Sequence, residues 1–463
     1  MTEGEVTVGE ELGAALPRRV TEVLPGPRSR ALAARLAAVE SRNVTRITDA
    51  GPIFWAEARG ANVRDADGNV YIDLTAGFGV AAAGHANPRV ARAVGEQAAV
   101  LAHGLGDVHP SEAKVRLLER LAELAPGDLG VSILASAGAE AVEAALKTAC
   151  LRTGRPGILA FTGGYHGLTY GALAVTWREE FREPFRAQLY PGVRFAPYPY
   201  AYRWEGEGDV SRAALAVARR LIDEAESSSA PIGAVLVEPV QGRGGIVVPP
   251  DDFLPGLRAL CDERGLVLIF DEIYTGFGRT GRWFACEHWG VVPDIMTVGK
   301  ALSGALPLSA AIGTREMMDA WPPSTGEALH TSTFLGNPIS CAAALAQLQE
   351  IEEKRLVERA AGLGARLRRR LDSWLERYPV VGEVRGLGLF QGVELVEDRE
   401  SRRPATDLAG RVVDAALERG VLVLTEGPAL NVLAFTPPLV ITEQQLDYAL
   451  DVLEEELERA VRR

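Results

Sequence analysis

The chain has 463 residues and a formal net charge of −13 at neutral pH, with 47% hydrophobic and 24% charged residues. This balance is typical of a globular protein with a sizeable core and more than one domain. The negative charge argues against a nucleic-acid-binding surface, which needs clustered basic residues. The sequence shows no long apolar run and no leader pattern, which predicts a cytoplasmic protein without a membrane segment. Four cysteines without paired spacing predict neither a disulfide framework nor a metal site.

The first 110 residues combine an irregular arm, a short helix and small strands. Residues 1 to about 27 are punctuated by proline and predict a partly ordered arm, followed by a helix at 29–41. Short apolar pieces at 53–73 surround the turn signal DADGN, which predicts a small sheet containing a hairpin. A stretch of small residues, 75–88, then leads into a helix at 88–101.

Strand-like runs alternate with helical patterns between about residues 110 and 345. This alternation is typical of crossover connections in a largely parallel sheet covered by helices. Strands are expected at 131–135, 157–161, 232–237, 266–270 and 294–298, and helices at 112–123, 140–151, 211–226 and 339–351. The carboxyl ends of parallel strands converge on one crevice, so the residues that end these strands are candidate ligand contacts.

The remainder of the chain predicts a smaller α+β domain. Its expected elements are a charged helix at 353–378, short strands within 381–393, a helix at 407–419, a strand at 421–424 and a helix at 442–461. We therefore expect three parts. They are an N-terminal arm with part of the small domain at 1–80, a large domain at 81–344, and the rest of the small domain at 345–463.

Two charged side chains stand at the ends of buried strands. The apolar run 266–270 ends on Asp271, and the run 294–298 is soon followed by Lys300. The three other lysines of the chain lie in solvated helical patterns. An apolar setting lowers the pKa of an ammonium group and favours the free amine, which attacks carbonyl groups. Lys300 is therefore a candidate nucleophile with Asp271 as its anionic partner, unless the lysine merely ends a strand.

Three further motifs follow predicted strands. SAGAE places Gly138 and Ala139 at a helix start, where free amide N–H groups bind an anion or simply begin the helix. TGGYHG sets Tyr165 and His166 among glycines, which let a flat ligand approach or form a core loop. EPVQG puts the carboxylate of Glu238 at another strand end.

Together these groups suit one kind of ligand. A hydroxyl-rich turn at 330–338 adds a candidate phosphate contact, although such hydroxyls usually cap a helix. An amine, an anionic partner, a phosphate cradle and an aromatic face match a phosphorylated aromatic aldehyde. The amine would form a Schiff base, the helix start would hold the phosphate, and the carboxylate would keep a pyridine nitrogen protonated. The sequence therefore predicts pyridoxal phosphate as the cofactor.

These motifs resemble those of a known family. In chain order they are ASAGAEAVEAALKTA, GGYHG, EPVQG, FDEIYTGFGRTG, PDIMTVGKALSG, STFLGNP and VRGLG. They are similar to the class III, or ω-amino acid type, pyridoxal-phosphate-dependent aminotransferases, from about residue 54 to residue 439. The resemblance implies a fold-type I enzyme with a large doubly wound domain and a smaller α+β domain from both chain ends. It also implies a homodimer, or a dimer of dimers, with active sites at the subunit interface.

The resemblance implies a role for individual residues at the cofactor. Lys300 matches the lysine that forms the Schiff base, Asp271 the partner of the pyridinium nitrogen, and Gly138 and Ala139 the phosphate cradle. Further cofactor contacts are expected at His166 and Glu238.

The resemblance also implies which residues contact the faces and edges of the cofactor ring. Ile273 and Tyr165 match the residues on its two faces, and Tyr274 falls near the phenolic oxygen, where a phenol can donate. Thr333 matches a hydroxyl that reaches the phosphate in the neighbouring subunit.

The substrate positions include two departures from the family. Arg385 matches the arginine that pairs with a substrate α-carboxylate, a task that suits a planar guanidinium, and Phe78 falls at a substrate-pocket position. Arg243 stands where 4-aminobutyrate and ornithine aminotransferases have a glutamate over that arginine, so Arg385 is expected to lack that glutamate as a partner. Arg243 either adds a carboxylate or phosphate contact or turns to solvent or the subunit interface. Leu168 replaces an arginine of 4-aminobutyrate aminotransferases, which argues against that activity.

We predict that the protein moves an amino group from an amino acid or amine donor to a keto acid such as pyruvate or 2-oxoglutarate. Lys300 would move the α-proton while Asp271 supports the electron-withdrawing ring. One alternative on the same fold is an amino acid racemase or epimerase, which returns the proton to carbon. Another is a catalytically silent binding protein, which the lysine, aspartate and arginine argue against. No metal, nucleic acid or membrane partner is expected.

Overall fold

The structure is a computed structural model and describes residues 12–47 and 52–462. Residues 1–11 of the predicted arm lie outside the described residues. Within the described residues, the strands form three sheets. The strands are β1 Trp55–Arg59, β2 Asn62–Asp65, β3 Val70–Asp73, β4 Leu129–Ala135, β5 Gly157–Phe161, β6 Val193–Ala196, β7 Ile232–Val237, β8 Val267–Asp271, β9 Ile295–Val298, β10 Ser309–Thr314, β11 Val381–Leu387, β12 Phe390–Leu395, β13 Val421–Leu422, β14 Leu424–Glu426 and β15 Val432–Phe435.

Helices cover the sheets. The longer ones are Pro27–Val39, Pro88–Val100, Glu112–Leu124, Gly138–Thr153, Val210–Ala225, Phe253–Arg264, Pro338–Glu353, Leu356–Arg377, Thr406–Glu418 and Glu443–Val461. Short helical turns occupy Tyr170–Val175, Glu179–Arg182, Glu183–Gln188, Ala201–Arg203, Ala285–His288, Lys300–Leu302 and Arg315–Met318. Across the part of the chain that the structure describes, every helix is too short or too polar to cross a bilayer.

The central sheet has seven strands in the order β4-β10-β9-β8-β7-β5-β6. Neighbours from β9 to β6 pair in parallel, whereas β10 runs antiparallel to both β4 and β9. Strands β5, β7 and β8 are buried along their whole length, as apolar runs covered by helices on both faces should be. The large, mostly parallel sheet predicted from the sequence is confirmed.

Both chain ends contribute to the smaller sheets. One sheet has the order β1-β2-β3-β13, and Val421 of β13 pairs in parallel with Ile72 of β3. The other has the order β11-β12-β15-β14. The expected α+β part built from both ends of the chain is thus confirmed, while its exact limits at residues 80 and 344 stay a prediction.

Several elements of the large domain were not predicted, among them one long helix and strand β10 of the central sheet. The helix Phe253–Arg264 contains Pro255 and Gly256, which read as breakers, although proline is tolerated in the first turn of a helix. Strand β10 has the sequence SAAIGT, whose small residues have little intrinsic preference for strands. Its pairing on both sides within the sheet overrides that local preference.

A left-handed turn joins β3 to the large domain. Four successive residues, Ala76–Gly79, have positive φ angles, including 48° at Ala76 and 60° at Phe78. Left-handed backbone costs about 1–2 kcal/mol at each non-glycine residue, so the surroundings must hold it. Asp73 does so: Oδ1 accepts the amide of Thr75 at 2.7 Å, and Oδ2 accepts that of Gly77 at 3.2 Å. The turn places Phe78, half exposed, at the mouth of the cavity described next.

Candidate active site

A cavity of about 470 Å³ opens where β5, β7, β8 and β9 end. It brings together most of the residues predicted from the sequence. Its walls contain Phe78, Gly138, Ala139, Tyr165, His166, Glu238, Arg243, Asp271, Ile273, Tyr274 and Lys300. Gly167 and Leu168 complete the lining. The strand-end geometry expected of an open α/β sheet therefore holds here.

Lys300 follows β9 with a left-handed backbone, φ 40°. Its Nζ lies 4.3 Å from the ring centroid of Tyr274. Burial lowers the pKa of the Lys300 ammonium, while the nearby carboxylates of Asp271 and Glu238 act in the opposite direction. A lowered pKa increases the fraction of free amine, which is the nucleophilic form.

Asp271 ends β8 and is held from two sides. Its Oδ1 accepts the amide N–H of Ile273 at 3.1 Å, and its Oδ2 lies 2.7 Å from Nδ1 of His166. Both Asp271 and His166 are buried. Within the described residues, Nε2 of His166 has no hydrogen-bond partner. The contact with Asp271 therefore accounts for the orientation of this ring.

Glu238 ties two loops of the site together. Its Oε1 accepts the amide of Tyr165 at 2.9 Å, and its Oε2 accepts the amide of Gly242 at 2.9 Å. Burial raises the pKa of Glu238 to about 7. The side chain thus fixes the loop after β5 against the loop after β7, which supports the ring-binding residues.

The helix Gly138–Thr153 begins at the cavity. Ala137, which precedes it, offers no side-chain cap, so the first amide N–H groups are available to an anion. A Cβ on Gly138 would lie 2.9 Å from Cδ1 of Ile273, so glycine allows that side chain to pack against the helix start. Gly138 and Ala139 both line the cavity. These features make a cradle that fits a phosphate.

Tyr274 lies between the two domains. Its ring packs against Phe390 with 4.9 Å between ring centroids. A Cβ on Gly242 would lie 2.5 Å from Cδ1 of Tyr274, so this close contact requires glycine. Burial raises the pKa of Tyr274 to about 12, which keeps the phenol protonated and able to donate.

Arg243 has a partner that the sequence did not reveal. Its Nε lies 2.9 Å from Oε2 of Glu426, the last residue of β14. Arg243 lines the cavity, and Glu426 is buried behind it. The expected contact of Arg243 with a carboxylate or phosphate of the ligand, and the alternative of a side chain turned to solvent or to the subunit interface, stay predictions. Glu426 is distant in sequence and lies in a smaller sheet, so no local pattern indicated this pair.

Arg385 is not part of the cavity wall. It borders a neighbouring cavity of about 330 Å³. Its Nη1 lies 2.8 Å from Glu383 and 2.7 Å from Glu394. The glutamate missing at position 243 is thus replaced as a partner of Arg385 by two carboxylates from β11 and β12, which were not predicted from the sequence. Its predicted contact with a substrate carboxylate stays a prediction.

Thr333 also lies away from the cavity of its own chain. It is exposed, within a run of exposed residues at 331–334. This position is compatible with the predicted contact in a neighbouring subunit, which stays a prediction. Leu168 is half exposed at the cavity and adds no charge there.

Comparisons with known proteins address the class of this protein. The family model described as Aminotransferase class-III matches residues 44–457. A 5-aminovalerate aminotransferase of Pseudomonas aeruginosa is 39% identical over 87% of this chain and 93% of its own length. An alanine/serine racemase of Pyrococcus horikoshii is 37% identical over 93% of this chain and 90% of its own. The solved structure of an omega transaminase from Pseudomonas jessenii in complex with PMP has a TM-score of 0.87 at 28% identity, covering 93% of this chain and 98% of its own.

The chain belongs to the class III aminotransferase family. It is a pyridoxal-phosphate-dependent aminotransferase of fold type I, which takes an amino donor and a keto acid. The residues present fit this cofactor. An amine with a lowered pKa, a buried carboxylate and an uncapped helix start face one cavity.

Proposed function

We propose that this enzyme transfers an amino group from an amino acid or amine donor to a keto acid such as pyruvate or 2-oxoglutarate, using Lys300. The observation that supports it is the placing of that amine in one cavity with the helix start at Gly138 and the carboxylate of Asp271. When bound, pyridoxal phosphate supplies an aldehyde that condenses with amines and a ring that draws electrons from the substrate α-carbon. The chain supplies the charges and the proton transfer around it.

Lys300 is the proton carrier of the proposed reaction. Its lowered pKa favours an unprotonated Nζ, which can accept the proton from the α-carbon of the donor. The protonated Nζ would pass this proton to the carbon of the bound cofactor that carries the amino group, and in the second half-reaction it would carry a proton the opposite way, to the α-carbon of the acceptor. The ring of Tyr274, 4.3 Å from Nζ, stabilises the charged form by a cation–π contact. One amine therefore serves both directions.

The other residues hold and orient the cofactor. Asp271 would face the pyridine nitrogen, and His166 keeps its carboxylate in place. The amides of Gly138 and Ala139 would bind the phosphate. Tyr165 and Ile273 would contact the two faces of the ring.

We further propose a homodimer whose interface includes an exposed apolar patch. The patch consists of Leu101, Leu105, Val108, Leu329 and Phe334. Its two segments are joined by an edge contact of His103 with Phe334, 5.5 Å between centroids, and by a 3.0 Å hydrogen bond from Thr331 to Asp107. Exposed patches of this kind mark interaction surfaces. In such a dimer Thr333 would reach the partner's phosphate.

The oligomeric state tests this part directly. Phe334→Asp should lower the mass measured by light scattering toward that of one chain, because a charge would be buried in the interface. Val461→Asp, at another exposed apolar residue, is the matched control and should keep the wild-type mass. A wild-type mass of a single chain would contradict the proposal.

A racemase or epimerase remains the second candidate, because relatives include an alanine/serine racemase of Pyrococcus horikoshii. One amino acid enantiomer, incubated with the holoenzyme and no keto acid, separates the two. Amino-group transfer predicts at most one turnover per site, whereas an isomerase racemises the whole pool. A panel of donors with pyruvate or 2-oxoglutarate, read by chromatography of the products, then tests the transfer. Failure of every donor to yield product would contradict it.

A further inference from the structure

The ion pair of Arg243 and Glu426 presents the Arg243 side chain to the cavity. The Arg243 side chain is 29% exposed and lines the cavity, whereas the Glu426 side chain is only 4% exposed. The Arg243 guanidinium also lies over the ring of Tyr165, 5.3 Å from its centroid. Arg243 therefore contacts a carboxylate on one side and stays open to a ligand on the other.

The pair is close but poorly aligned. Nε of Arg243 and Oε2 of Glu426 are 2.9 Å apart, yet within the described residues neither atom makes a hydrogen bond of acceptable geometry. Aligned, charge-assisted hydrogen bonds give guanidinium–carboxylate pairs most of their strength. Exchange of Glu426 for another carboxylate would therefore cost Arg243 little.

A second guanidinium, that of Arg178, lies close to Glu426. Nη2 of Arg178 donates to the carbonyl oxygens of Arg243, at 3.1 Å, and Gly427, at 2.7 Å. These bonds tie together the two loops that carry the pair. Burial raises the pKa of Glu426 to about 7, whereas the charges of Arg243 and Arg178 act in the opposite direction and favour its ionised form. If Arg243 turns away, the buried carboxylate still has a neighbouring cation, which avoids the penalty of an isolated buried charge.

Arg385, by contrast, is fully engaged. Its Nε and Nη2 both donate to the carbonyl oxygen of Gly245, at 3.0 and 2.6 Å. Its Nη1 contacts Glu383 and Glu394, and the guanidinium lies 4.7 Å from the ring centroid of Tyr200. A substrate carboxylate would have to displace several partners at once. These contacts hold β11 and β12 against the loop after β7.

We propose that Arg243 binds the substrate carboxylate in this enzyme and exchanges between that carboxylate and Glu426, while Arg385 holds the fold around the pocket. The inference rests on the proposed amino-group transfer. It defines two substrate classes for one site. Amino acids and keto acids bind with Arg243 turned to their carboxylate. Amines and aldehydes without a carboxylate bind with Arg243 closed on Glu426, so that no charge is left unpaired.

Two three-carbon acceptors test the role of Arg243, because pyruvate has a carboxylate and propanal does not. Arg243→Gln should lower kcat/KM for pyruvate about 10- to 100-fold, the loss expected for one charged contact, and change that for propanal less than about 3-fold. Arg243→Lys should recover part of the loss, since it keeps the charge without the planar fork. Arg385→Gln should change both acceptors by the same factor. A selective loss of pyruvate at Arg385 with an unchanged ratio at Arg243 would overturn the proposal.

Ligand binding separates this inference from the proposed function. Butyrate and its neutral amide, butyramide, serve as probes, because neither has an amine or a reactive carbonyl group that the enzyme could turn over. Calorimetry should show that wild type prefers butyrate and that Arg243→Gln removes the preference. If no amino group reaches any keto acid but the preference depends on Arg243, the proposed function fails and the inference stands. If transfer occurs and the preference survives Arg243→Gln, the inference alone fails.

Glu426→Gln tests the exchange itself. Without the competing carboxylate, Arg243 should bind butyrate more tightly than in wild type. Tighter binding supports exchange between two carboxylates. Weaker binding would show that Glu426 only positions Arg243, and would overturn the exchange.

Discussion

Nδ1 of His166 lies 2.7 Å from Oδ2 of Asp271, and both buried side chains line the cavity. A carboxylate oxygen can only accept, so Nδ1 carries the hydrogen and the ring donates. The amide of Ile273 donates to the other oxygen at 3.1 Å. Asp271 is thus fixed in direction by a side chain from the loop after β5 and by its own loop.

Loss of the Asp271 carboxylate should lower turnover more than loss of the His166 ring that holds it. Asp271→Asn is expected to lower kcat by about 10²–10³-fold, as removal of a preorganised charge does. His166→Ala should lower kcat less, because it acts through Asp271. The double variant should resemble Asp271→Asn alone, since contacting residues are not additive. Steady-state kinetics at saturating donor and acceptor measure this, and additive losses would argue against a shared role.

Lys300→Ala should abolish covalent attachment of pyridoxal phosphate together with transfer activity, because no other lysine lines the described cavity. Borohydride reduction followed by peptide mapping detects the attachment. Lys354→Ala, at an exposed lysine outside the cavity, is the control and should label as wild type does. A label on any lysine other than Lys300 would refute the assignment.

Charges near Lys300 should shift its pKa in opposite directions. Burial lowers the pKa, and the Glu426 carboxylate raises it whereas the Arg243 guanidinium lowers it further. Glu426→Gln should therefore lower the pKa of Lys300 beyond its wild-type value, and Arg243→Gln should raise it. The pH dependence of borohydride-trapped attachment of pyridoxal phosphate to cofactor-free protein reports both. Shifts of the same sign would contradict this account.

Glycine at 242 should be required for packing. A Cβ there would lie 2.5 Å from the Tyr274 ring and 3.4 Å from Phe390, so Gly242→Ala should destabilise the protein by about 1–3 kcal/mol. Gly362→Ala is the matched control. It lies exposed in the helix Leu356–Arg377 with nothing within 4 Å, so it should raise stability by up to about 1 kcal/mol. Thermal unfolding of both holoenzymes compares them, and equal Tm values would count against this close packing.

The strand-end residues could be predicted because their signal is local. The apolar run of β8 ends on Asp271, and that of β9 precedes Lys300. Chain direction then brings both to one edge of the sheet. Helix limits shifted by only a few residues for the same reason, as at Gly138, where the observed helix starts two residues before the predicted one.

The charge pairing could not be predicted because it depends on distant parts of the chain. Glu426 lies in the three-residue strand β14, and nothing nearby indicates that it faces Arg243. Arg385 meets Glu394 only because β11 and β12 pair side by side. The family resemblance placed both Arg243 and Arg385 near the substrate. Only the folded structure shows that Arg385 is surrounded by partners, whereas Arg243 is open to the cavity.

The turn at Ala76–Gly79 constrains any redesign of the entrance. Its backbone has the opposite hand to an ordinary helix. Phe78 therefore has a left-handed conformation that few residue types tolerate. Replacing Phe78 with glycine or asparagine would widen the opening and keep the left-handed turn, whereas valine or isoleucine would disfavour that backbone conformation. An inserted or deleted residue between Asp73 and Gly79 would change the course of this turn and move Phe78 away from the cavity entrance.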